Sequence, residues 1–319
     1  MLQFVTGSQV VEALVPLPDR PQKELSVSVD CDGLADYLNF AVKSSAVERD
    51  LVTYRILIAN LLEVFERRGI RATFFCIGKP LQSDPQAAAV MRRAVAAGHR
   101  IANHTLSHPD MSMLDEAGQE REVTEGHRAI LEATGVAPTG YRGPAYFVSP
   151  AILGALDRLG YRYDSSACPA RFMQLALRAL AVLKPNYQRK SEPPLAHLFK
   201  TDRQSVLRLK SGGRLIEWPI PIAYGLPFYG TFHSILPRRV FFEQLRLLSR
   251  RAHIHYELHP IEVINQPIAH AYPWLPTARV ASRRNCDLVA WLDERLAALM
   301  RGRHLTTLED LSAAHLAAL

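Results

Sequence analysis

The chain has 319 residues, 48% of them hydrophobic, and 38 Lys and Arg against 31 Asp and Glu give it a net charge of +7. This length and apolar content suit one large core, and no Gly/Ser linker or low-complexity stretch divides the chain. The basic residues are dispersed, with no run interleaved with aromatics and no helix-turn-helix or zinc-finger spacing, so nucleic acid is not an expected partner. The four cysteines lie far apart, which argues against a disulfide framework.

Short β-rich runs alternate with helical patterns along the chain. Strands are predicted at residues 25–29, 100–103 and 304–308. Helices are predicted at about 52–68, 86–97 and 115–134, each ended by a glycine, and a last helix follows from residue 309. Strand-helix alternation indicates a parallel sheet, and polar residues that recur at the strand ends indicate a closed or nearly closed barrel.

Two regions do not fit a minimal barrel. Residues 1–22 form an irregular, proline-containing lead, interpreted as an N-terminal extension to a barrel of residues 23–319. Residues 168–210 are interpreted as an insertion or lid, and a helix at 171–184 would carry a basic stripe beside a broad apolar face. That helix is either a core or lid element, or a contact with a membrane surface or a lipid-linked substrate. It is too short for a transmembrane span.

Two acids follow the first predicted strand, in the run Asp30-Cys31-Asp32-Gly33. Asp32 offers a hard oxygen to a metal ion, and Asp30 is then available as a base. Because side chains alternate along a strand, Cys31 is expected to pack on the opposite face. An Asp-x-Asp-Gly run alone also occurs in turns and calcium-like loops, so its meaning depends on what lies nearby.

Two histidines follow the strand predicted at 100–103, in Asn103-His104-Thr105-Leu106-Ser107-His108. With three residues between them, His104 and His108 are expected to share one face of a helical turn. A His-x3-His pair alone is often a solvated helix face. Together with Asp32 the pair supplies three metal ligands with one position left open, the pattern of catalytic rather than structural zinc.

Later segments complete a recognisable set, namely Ala72-Thr73-Phe74-Phe75-Cys76-Ile77-Gly78, Tyr141-Arg142-Gly143-Pro144-Ala145-Tyr146, Tyr163-Asp164-Ser165-Ser166 and Leu258-His259-Pro260. With the acids and histidines they resemble the five ordered motifs of the polysaccharide deacetylase family (carbohydrate esterase family 4, the NodB-homology domain), in the branch with a residue inserted between the two acids. The fourth motif departs from the pattern, because the tryptophan that often follows the acid is absent. The resemblance spans about residues 24–311 and implies an α/β fold, a deformed (β/α)7-8 barrel of the NodB-homology type.

The side chains themselves suggest a reaction. Water on a divalent metal has its pKa lowered from about 15.7 towards 7, so Asp30 could remove a proton from it for attack on an amide carbonyl. His259 is the expected acid for the leaving amine, because histidine titrates near neutral pH and a neighbouring carboxylate such as Asp164 would favour its charged form. Arg142 is expected to orient Asp30 and keep it ionised.

Substrate binding is expected in the segment of Pro144 and Tyr146, where the backbone N–H of Tyr146 would share the developing oxyanion charge with the metal. Several residues keep a second interpretation. Arg142 could belong to a turn, Asp164 could cap or turn the chain, and Glu217 could either face the pocket or lie exposed at an edge.

Three histidines, His253, His255 and His259, alternate along a predicted strand and would share one of its faces. Only His259 lies at the strand's end, so it alone is favoured as functional. One aspartate and two histidines suit zinc, and cobalt, manganese or iron are the alternatives.

The expected activity is removal of an N-acyl group, N-acetyl first, from an amino sugar that is free or carrier-linked. The first residues lack a basic region followed by an apolar one, which gives the expectation of a cytoplasmic protein, with peripheral contact at the inner face of the membrane. The alternatives are a deformylase of a formamido sugar on polyprenyl phosphate, allantoinase-like ring opening, and a non-catalytic member of the fold that binds glycan. The sequence leaves the oligomeric state open.

Overall fold

The computed structural model describes residues 3–4, 10–34, 52–170, 202–273, 277–278 and 287–319. The strands are β1 Gln3–Phe4, β2 Val11–Pro16, β3 Glu24–Asp30, β4 Thr73–Cys76, β5 Arg100–Asn103, β6 Gly140–Tyr141, β7 Tyr163–Asp164, β8 Ser205–Leu209, β9 Arg214–Glu217, β10 Ile222–Ala223, β11 Leu226–Pro227, β12 His253–Leu258 and β13 His304–Thr306. The α-helices are α1 Ala59–Arg68, α2 Gly78–Ser83, α3 Pro85–Ala96, α4 Glu116–Thr134, α5 Pro150–Arg158, α6 Gly230–Ile235, α7 Arg238–Leu248, α8 Gln266–Ala271, α9 Leu288–Met300 and α10 Leu308–Ala317. A π-helical segment Thr53–Ile58 leads into α1, and 3₁₀ turns occupy Met111–Met113, Pro144–Tyr146 and Pro260–Val263.

Seven strands run parallel, in the spatial order β12-β3-β4-β5-β6-β7-β9. Antiparallel β8, β2 and β1 extend the sheet beyond β9, and β13 pairs with the first half of β3. Within the described residues no pairing joins β12 back to β1, so strand pairing does not close the ring. The predicted α/β fold, a deformed barrel with a mostly parallel sheet, is confirmed.

The pleat of β3 separates apolar from polar residues. Leu25, Val27 and Val29 belong to the large core cluster that also contains residues of helix α1. Ser26 and Ser28, on the opposite face, bond to histidines of β12. Because side chains alternate along a strand, this arrangement also directs Asp30 at the strand's end towards the polar side.

The predicted helix ends are confirmed where glycine follows the last turn. Gly69 and Gly135 adopt left-handed conformations, with φ of 62° and 77°, directly after α1 and α4. Glycine adopts positive φ without a Cβ penalty and so ends a helix easily. The start of α4 is fixed by Asp115, whose side chain accepts a hydrogen bond from the Gly118 N–H.

The expectation for residues 1–22 was wrong in part, because Val11–Pro16 is a regular strand. This strand pairs antiparallel with β8 and shifts register between Val11 and Ala13. The buried side chains of Val11 and Ala13 and the exposed one of Glu12 alternate as expected of a strand with one covered face. The predicted helix at 171–184 lies outside the described residues. None of the helices in the described ranges combines the length and apolar character needed to cross a membrane.

One close contact in the sheet is testable. Gly140 on β6 lies so near the ring of Tyr163 on β7 that an added Cβ would overlap it. We expect Gly140→Ala to destabilise the fold by about 1–3 kcal/mol, measured by urea unfolding, because the neighbouring ring and strand must move.

Gly154→Ala is the control, since Gly154 lies in α5 and only the far end of the Arg158 side chain comes near its added Cβ, at 3.3 Å. Alanine is favoured over glycine in a helix, so this variant should gain about 0.5–1 kcal/mol. Equal effects in the two variants would contradict the packing described for β6.

Candidate active site

The two acids of the first motif lie at the carboxyl end of β3. Asp30 ends the strand, and Cys31 donates its N–H to the carbonyl oxygen of Phe75 on β4. Asp30 is 3% exposed, and Cys31 joins the apolar core as expected. The residue between the acids therefore points away, and Asp30 and Asp32 are both available to the same polar site.

The two histidines lie on a loop after β5, and the expected helical turn is wrong. Thr105 and His108 have φ of 69° and 54°, which no helix contains. Side chains stabilise this strained path: Asn103 Oδ1 accepts from the Thr105 N–H at 2.9 Å, and Thr105 Oγ1 accepts from the His108 N–H at 3.1 Å. Gly126 of α4 packs so closely that an added Cβ would lie 2.7 Å from the Thr105 carbonyl carbon. The loop is thus held from both sides.

The loop brings both imidazoles to one carboxylate oxygen. Asp32 Oδ1 lies 3.2 Å from His104 Nε2 and 3.5 Å from His108 Nε2. His104 Nδ1 lies 2.6 Å from the carbonyl oxygen of Arg142. A carbonyl only accepts hydrogen bonds, so Nδ1 carries the hydrogen and the lone pair of neutral His104 is on Nε2.

These three residues fit a divalent metal ion. Asp32 Oδ1 is buried and has no hydrogen-bond partner among the described residues, a costly state that a cation would relieve. The 3.2 and 3.5 Å separations are close to the roughly 3.3 Å edge of a tetrahedral site with ordinary zinc bond lengths. Burial alone would raise the pKa of Asp32, but His108, His104 and His259 outweigh it and hold the pKa well below its usual range.

Arg142 lies directly after β6 and is fully buried. Its Nη1 donates to Asp30 Oδ1, as the sequence predicted. Nε donates to the Ser165 carbonyl oxygen at 2.9 Å, and the guanidinium lies 4.1 Å from the centroid of the Phe75 ring. Burial acts to lower the pKa of Arg142, but the carboxylates of Asp30 and Glu257 raise it, so the side chain stays charged. Arg142 is therefore a residue of the polar site, and its interpretation as part of a simple turn was wrong.

His259 follows β12 and faces the same site. Its Nε2 lies 3.8 Å from Asp32 Oδ2 and 3.6 Å from Glu257 Oε1. Burial acts to lower the pKa of His259, but Asp32, Glu257, Asp30 and Glu262 together raise it above its ordinary value. The nearby carboxylates thus favour the charged form that a general acid needs.

Asp164 was expected beside His259, and this was wrong. Strand β7 pairs with β9, which places Asp164 opposite Glu217. Asp164 also accepts from Ser166 Oγ at 2.6 Å, and Glu217 accepts from the Ala167 N–H at 3.0 Å. Burial raises the pKa of both carboxyls, and the charge of Asp164 raises that of Glu217 further, so we expect the pair to hold a proton between them. Glu217 is neither edge-exposed nor part of the metal group.

Glu257 is a site residue that the sequence analysis missed. It is 1% exposed, lies 3.6 Å from Arg142 Nη1, and accepts from the Tyr146 hydroxyl at 2.8 Å. Burial and the charge of Asp30 raise its pKa to about 7, against the opposing effects of Arg142 and His259. The signal was present, because the alternation that aligns the β12 histidines also places Glu257 on their face.

Tyr146 takes part differently from what was predicted. Its backbone N–H already donates to the Gly143 carbonyl oxygen at 2.9 Å, so it is not available for an oxyanion. Ala145 and Tyr146 have φ of 50° and 60°, and this strained turn after Pro144 directs the Tyr146 hydroxyl to Glu257. A role for Pro144 and Tyr146 in substrate binding stays a prediction.

Parts of the chain that carry this site are similar to known proteins. A family model described as polysaccharide deacetylase matches residues 53–163, which contain His104, His108 and Arg142. The chain is 35% identical over 103 residues to a chitin deacetylase of Pestalotiopsis sp., covering 32% of this chain and 35% of that relative. It is 41% identical over 78 residues to a chitooligosaccharide deacetylase of Sinorhizobium fredii, covering 24% of this chain and 35% of that relative. The chain is therefore similar to the polysaccharide deacetylase family over residues 53–163.

The matched stretches span about a third of the length of these two relatives. The fold is similar to that of a protein of Mycobacterium smegmatis assigned to the polysaccharide deacetylases, with a TM-score of 0.64 and 18% identity. That likeness covers 100% of this chain and 96% of the other. At this identity it shows the fold alone. This likeness of fold includes β3 and β12, which lie outside the segment that the family model matches.

The roles of base and metal ligand can be separated by metal content. We expect Asp30→Asn to keep its metal, whereas His104→Ala should lose more affinity than the roughly 10–100-fold cost of removing a hydrogen-bond partner of a ligand. Zinc-loaded, dialysed proteins would be compared by elemental mass spectrometry. Equal metal loss in the two variants would show that Asp30 is itself a metal ligand.

The shared proton of Asp164 and Glu217 predicts a pH effect on stability. A carboxyl whose pKa is higher in the folded than in the unfolded protein contributes its full stability below about pH 4, where it is protonated in both states. This contribution is lost as the pH rises through the folded pKa. Glu217→Gln mimics the protonated acid. We therefore expect this variant to be more stable than wild type by about 1–2 kcal/mol at pH 8, and little different near pH 4, in denaturant unfolding.

Glu12→Gln, at an exposed acid of β2, is the matched control and should show no such pH-dependent difference. A Glu217→Gln variant that is less stable than wild type at pH 8 would contradict proton sharing.

Proposed function

We propose that this chain is a metal-dependent hydrolase that removes the N-acetyl group from an amino sugar. One observation supports this above all: the metal-binding group, a buried acid paired with arginine, and a histidine lie together at one end of the barrel. Asp30 Oδ2 is 4.0 Å from His104 Nε2, and His259 Nε2 is 3.8 Å from Asp32 Oδ2. The matched regions of the chitin and chitooligosaccharide deacetylases favour an N-acetylated sugar.

Asp32, His104 and His108 would hold the metal ion, with zinc as the proposed metal. When bound, such an ion supplies Lewis acidity towards a carbonyl oxygen and towards water. Asp30 lies beside this group and is held by Arg142, so it accepts the proton of the attacking water. Base and metal ligands are thus separate residues, although both acids come from one strand end.

His259 would protonate the amine nitrogen as the C–N bond breaks. An amine leaves poorly unless it is protonated, and the carboxylates around His259 keep its imidazole charged. Asp30 and His259 thus lie in opposite electrostatic surroundings within one site, because Arg142 neighbours the first and carboxylates neighbour the second.

The test is amine release from N-acetylated chitooligosaccharides by the zinc-loaded protein, followed by mass spectrometry of the product. Asp30→Asn should reduce turnover to background, because Asp30 is the proposed base and lies beside both Arg142 and His104. His259→Ala should reduce turnover by about 10²–10⁴, the usual contribution of one general acid. Unchanged turnover in Asp30→Asn would contradict the proposal.

Asp19→Asn and His304→Ala are matched controls, since both side chains are exposed and both should keep wild-type turnover. The same assay separates the alternatives drawn from the sequence. A carrier-linked formamido sugar that is cleaved in place of N-acetyl sugars would indicate the deformylase. Glycan binding that survives in Asp30→Asn, with no amine released by wild type, would indicate a non-catalytic member of the fold.

A further inference from the structure

The segment between His104 and His108 is bound to helix α4 through one side chain, that of Glu122. Glu122 Oε2 accepts from the Leu106 N–H at 3.0 Å and from the Ser107 N–H at 2.9 Å, and Oε1 accepts from the Ser107 hydroxyl at 2.8 Å. The Leu106 N–H also donates to the backbone carbonyl oxygen of Glu122, at 3.0 Å. A carboxylate only accepts hydrogen bonds, and both oxygens of this one are used on the loop.

The carbonyl groups of the same loop are bound to helix α2. The Thr105 carbonyl oxygen accepts from the Gly78 N–H at 3.0 Å, and the Leu106 carbonyl oxygen accepts from the Lys79 N–H at 2.7 Å. Both donors lie in the first turn of α2, where backbone N–H groups have no partner within the helix. The loop therefore lies between two helices, with N–H groups bound to α4 and carbonyl groups bound to α2.

The close approach of the loop to α4 depends on a glycine. Gly126 lies one turn beyond Glu122, so both residues are on the face of α4 that meets the loop. An added Cβ at Gly126 would lie 2.9 Å from the Leu106 nitrogen, which leaves no room for it. The helix thus offers the loop a carboxylate at one turn and a bare backbone at the next.

The two histidines differ in how they are held. His104 donates its backbone N–H to the Cys76 carbonyl oxygen at 2.8 Å, and its Nδ1 lies 2.6 Å from the Arg142 carbonyl oxygen. These contacts fix His104 to the sheet. The backbone N–H of His108 donates to Thr105 Oγ1, within the loop itself, and both residues have positive φ. The place of His108 in the metal group therefore depends on the path of residues 105–107.

We infer that Glu122 is a positioning residue for the metal group: it holds residues 106 and 107 on the path that brings His108 beside Asp32 and His104. A strained backbone persists when surrounding contacts impose it, and the three hydrogen bonds to the Glu122 side chain are such contacts. Preorganised ligands bind a metal ion more tightly than ligands that must first be ordered. The inference rests on the metal group of the proposed function, but the affinity for zinc is measured without any sugar.

The test compares zinc dissociation constants of the full chain, freed of metal and titrated against a chromophoric chelator. Glu122→Ala should bind zinc about 10–100-fold more weakly, the range found when an outer partner of a metal site is removed. Glu122→Gln should recover most of the affinity, because its amide oxygen still accepts from the two backbone N–H groups and its NH₂ group can donate to the Ser107 hydroxyl. Glu132→Ala, at an exposed acid of the same helix, is the matched control and should bind zinc like wild type.

A milder change tests the same contact at the surface. Ser107 is exposed, so Ser107→Ala is compatible with folding, and it removes the hydroxyl that bonds to Glu122 Oε1. We expect about 2–10-fold weaker zinc binding, the scale of one hydrogen bond. In a Glu122→Ala background the same change should have almost no effect, because the partner of the hydroxyl is already gone. Urea unfolding of the metal-free proteins checks that each variant is folded.

Two results would overturn the inference. One is zinc affinity in Glu122→Ala within about 2-fold of wild type. The other is a Ser107→Ala effect that is equally large with and without Glu122, since the two side chains would then act independently. A general loss of folding would weaken the Gln and Ala variants together, whereas positioning predicts that Gln restores the affinity.

The proposed function and this inference fail in different ways. If zinc affinity depends on Glu122 as expected but wild type releases no amine from any N-acyl sugar, the positioning role is supported and the proposed function is wrong. If wild type releases amine but zinc affinity does not depend on Glu122, the proposed function stands and this inference is wrong.

Discussion

The site depends on one buried positive charge, the guanidinium of Arg142. Its side chain bonds to Asp30 and Ser165 and lies 3.6 Å from Glu257. Its carbonyl oxygen accepts from His104 Nδ1, so the same residue also sets which nitrogen of a candidate metal ligand is available. An unpaired buried cation is very costly, and Arg142 is stable here only because two carboxylates lie beside it. Arg142 thus contacts Asp30, His104 and Glu257 of β12 at the same time.

The pleat of the strands explains why a residue separates the two acids. Successive side chains on a strand point to opposite faces, so two adjacent acids on β3 would point apart. With Cys31 between them, Asp30 and Asp32 reach the same side, and the cysteine fills the apolar layer against the helices. The same alternation on β12 places His255 and Glu257 towards the interior. The polar side chains of β3 and β12 therefore face the interior because side chains alternate along each strand.

The sequence predicted best what depends on local pattern. The strand at residues 100–103, the helix ends at Gly69 and Gly135, and the meeting of Asp32 with the two histidines follow from periodicity, glycine and strand-end placement. The histidine loop was mispredicted as helical, because Thr105 and His108 adopt positive φ, which non-glycine residues adopt only when surrounding contacts impose it. Those contacts come from Asn103 and Thr105 in the loop itself and from Gly126 of α4.

Strand order decides what local pattern cannot. Asp164 was assigned to His259 on the assumption that an acid at a strand end faces the site's histidine. In the sheet, β7 pairs with β9, so the nearest carboxyl to Asp164 is that of Glu217. The N-terminal strand is similar, since Val11–Pro16 is recognisable only through its partner β8. Pairing across long sequence separation carries this information, and a single sequence does not contain it.

The charge balance of the site has a further consequence for its proton chemistry. Asp30 and Glu257 flank a single guanidinium, so one positive charge serves two carboxylates. Glu257 has the less favourable position, because it is more deeply buried and the charge of Asp30 raises its pKa to about 7. A protonated Glu257 adds no negative charge beside His259, whereas an ionised one strengthens the hold of His259 on its proton. Glu257 therefore lies between Arg142, Tyr146 and His259, and its own ionisation changes the charge beside the proposed acid.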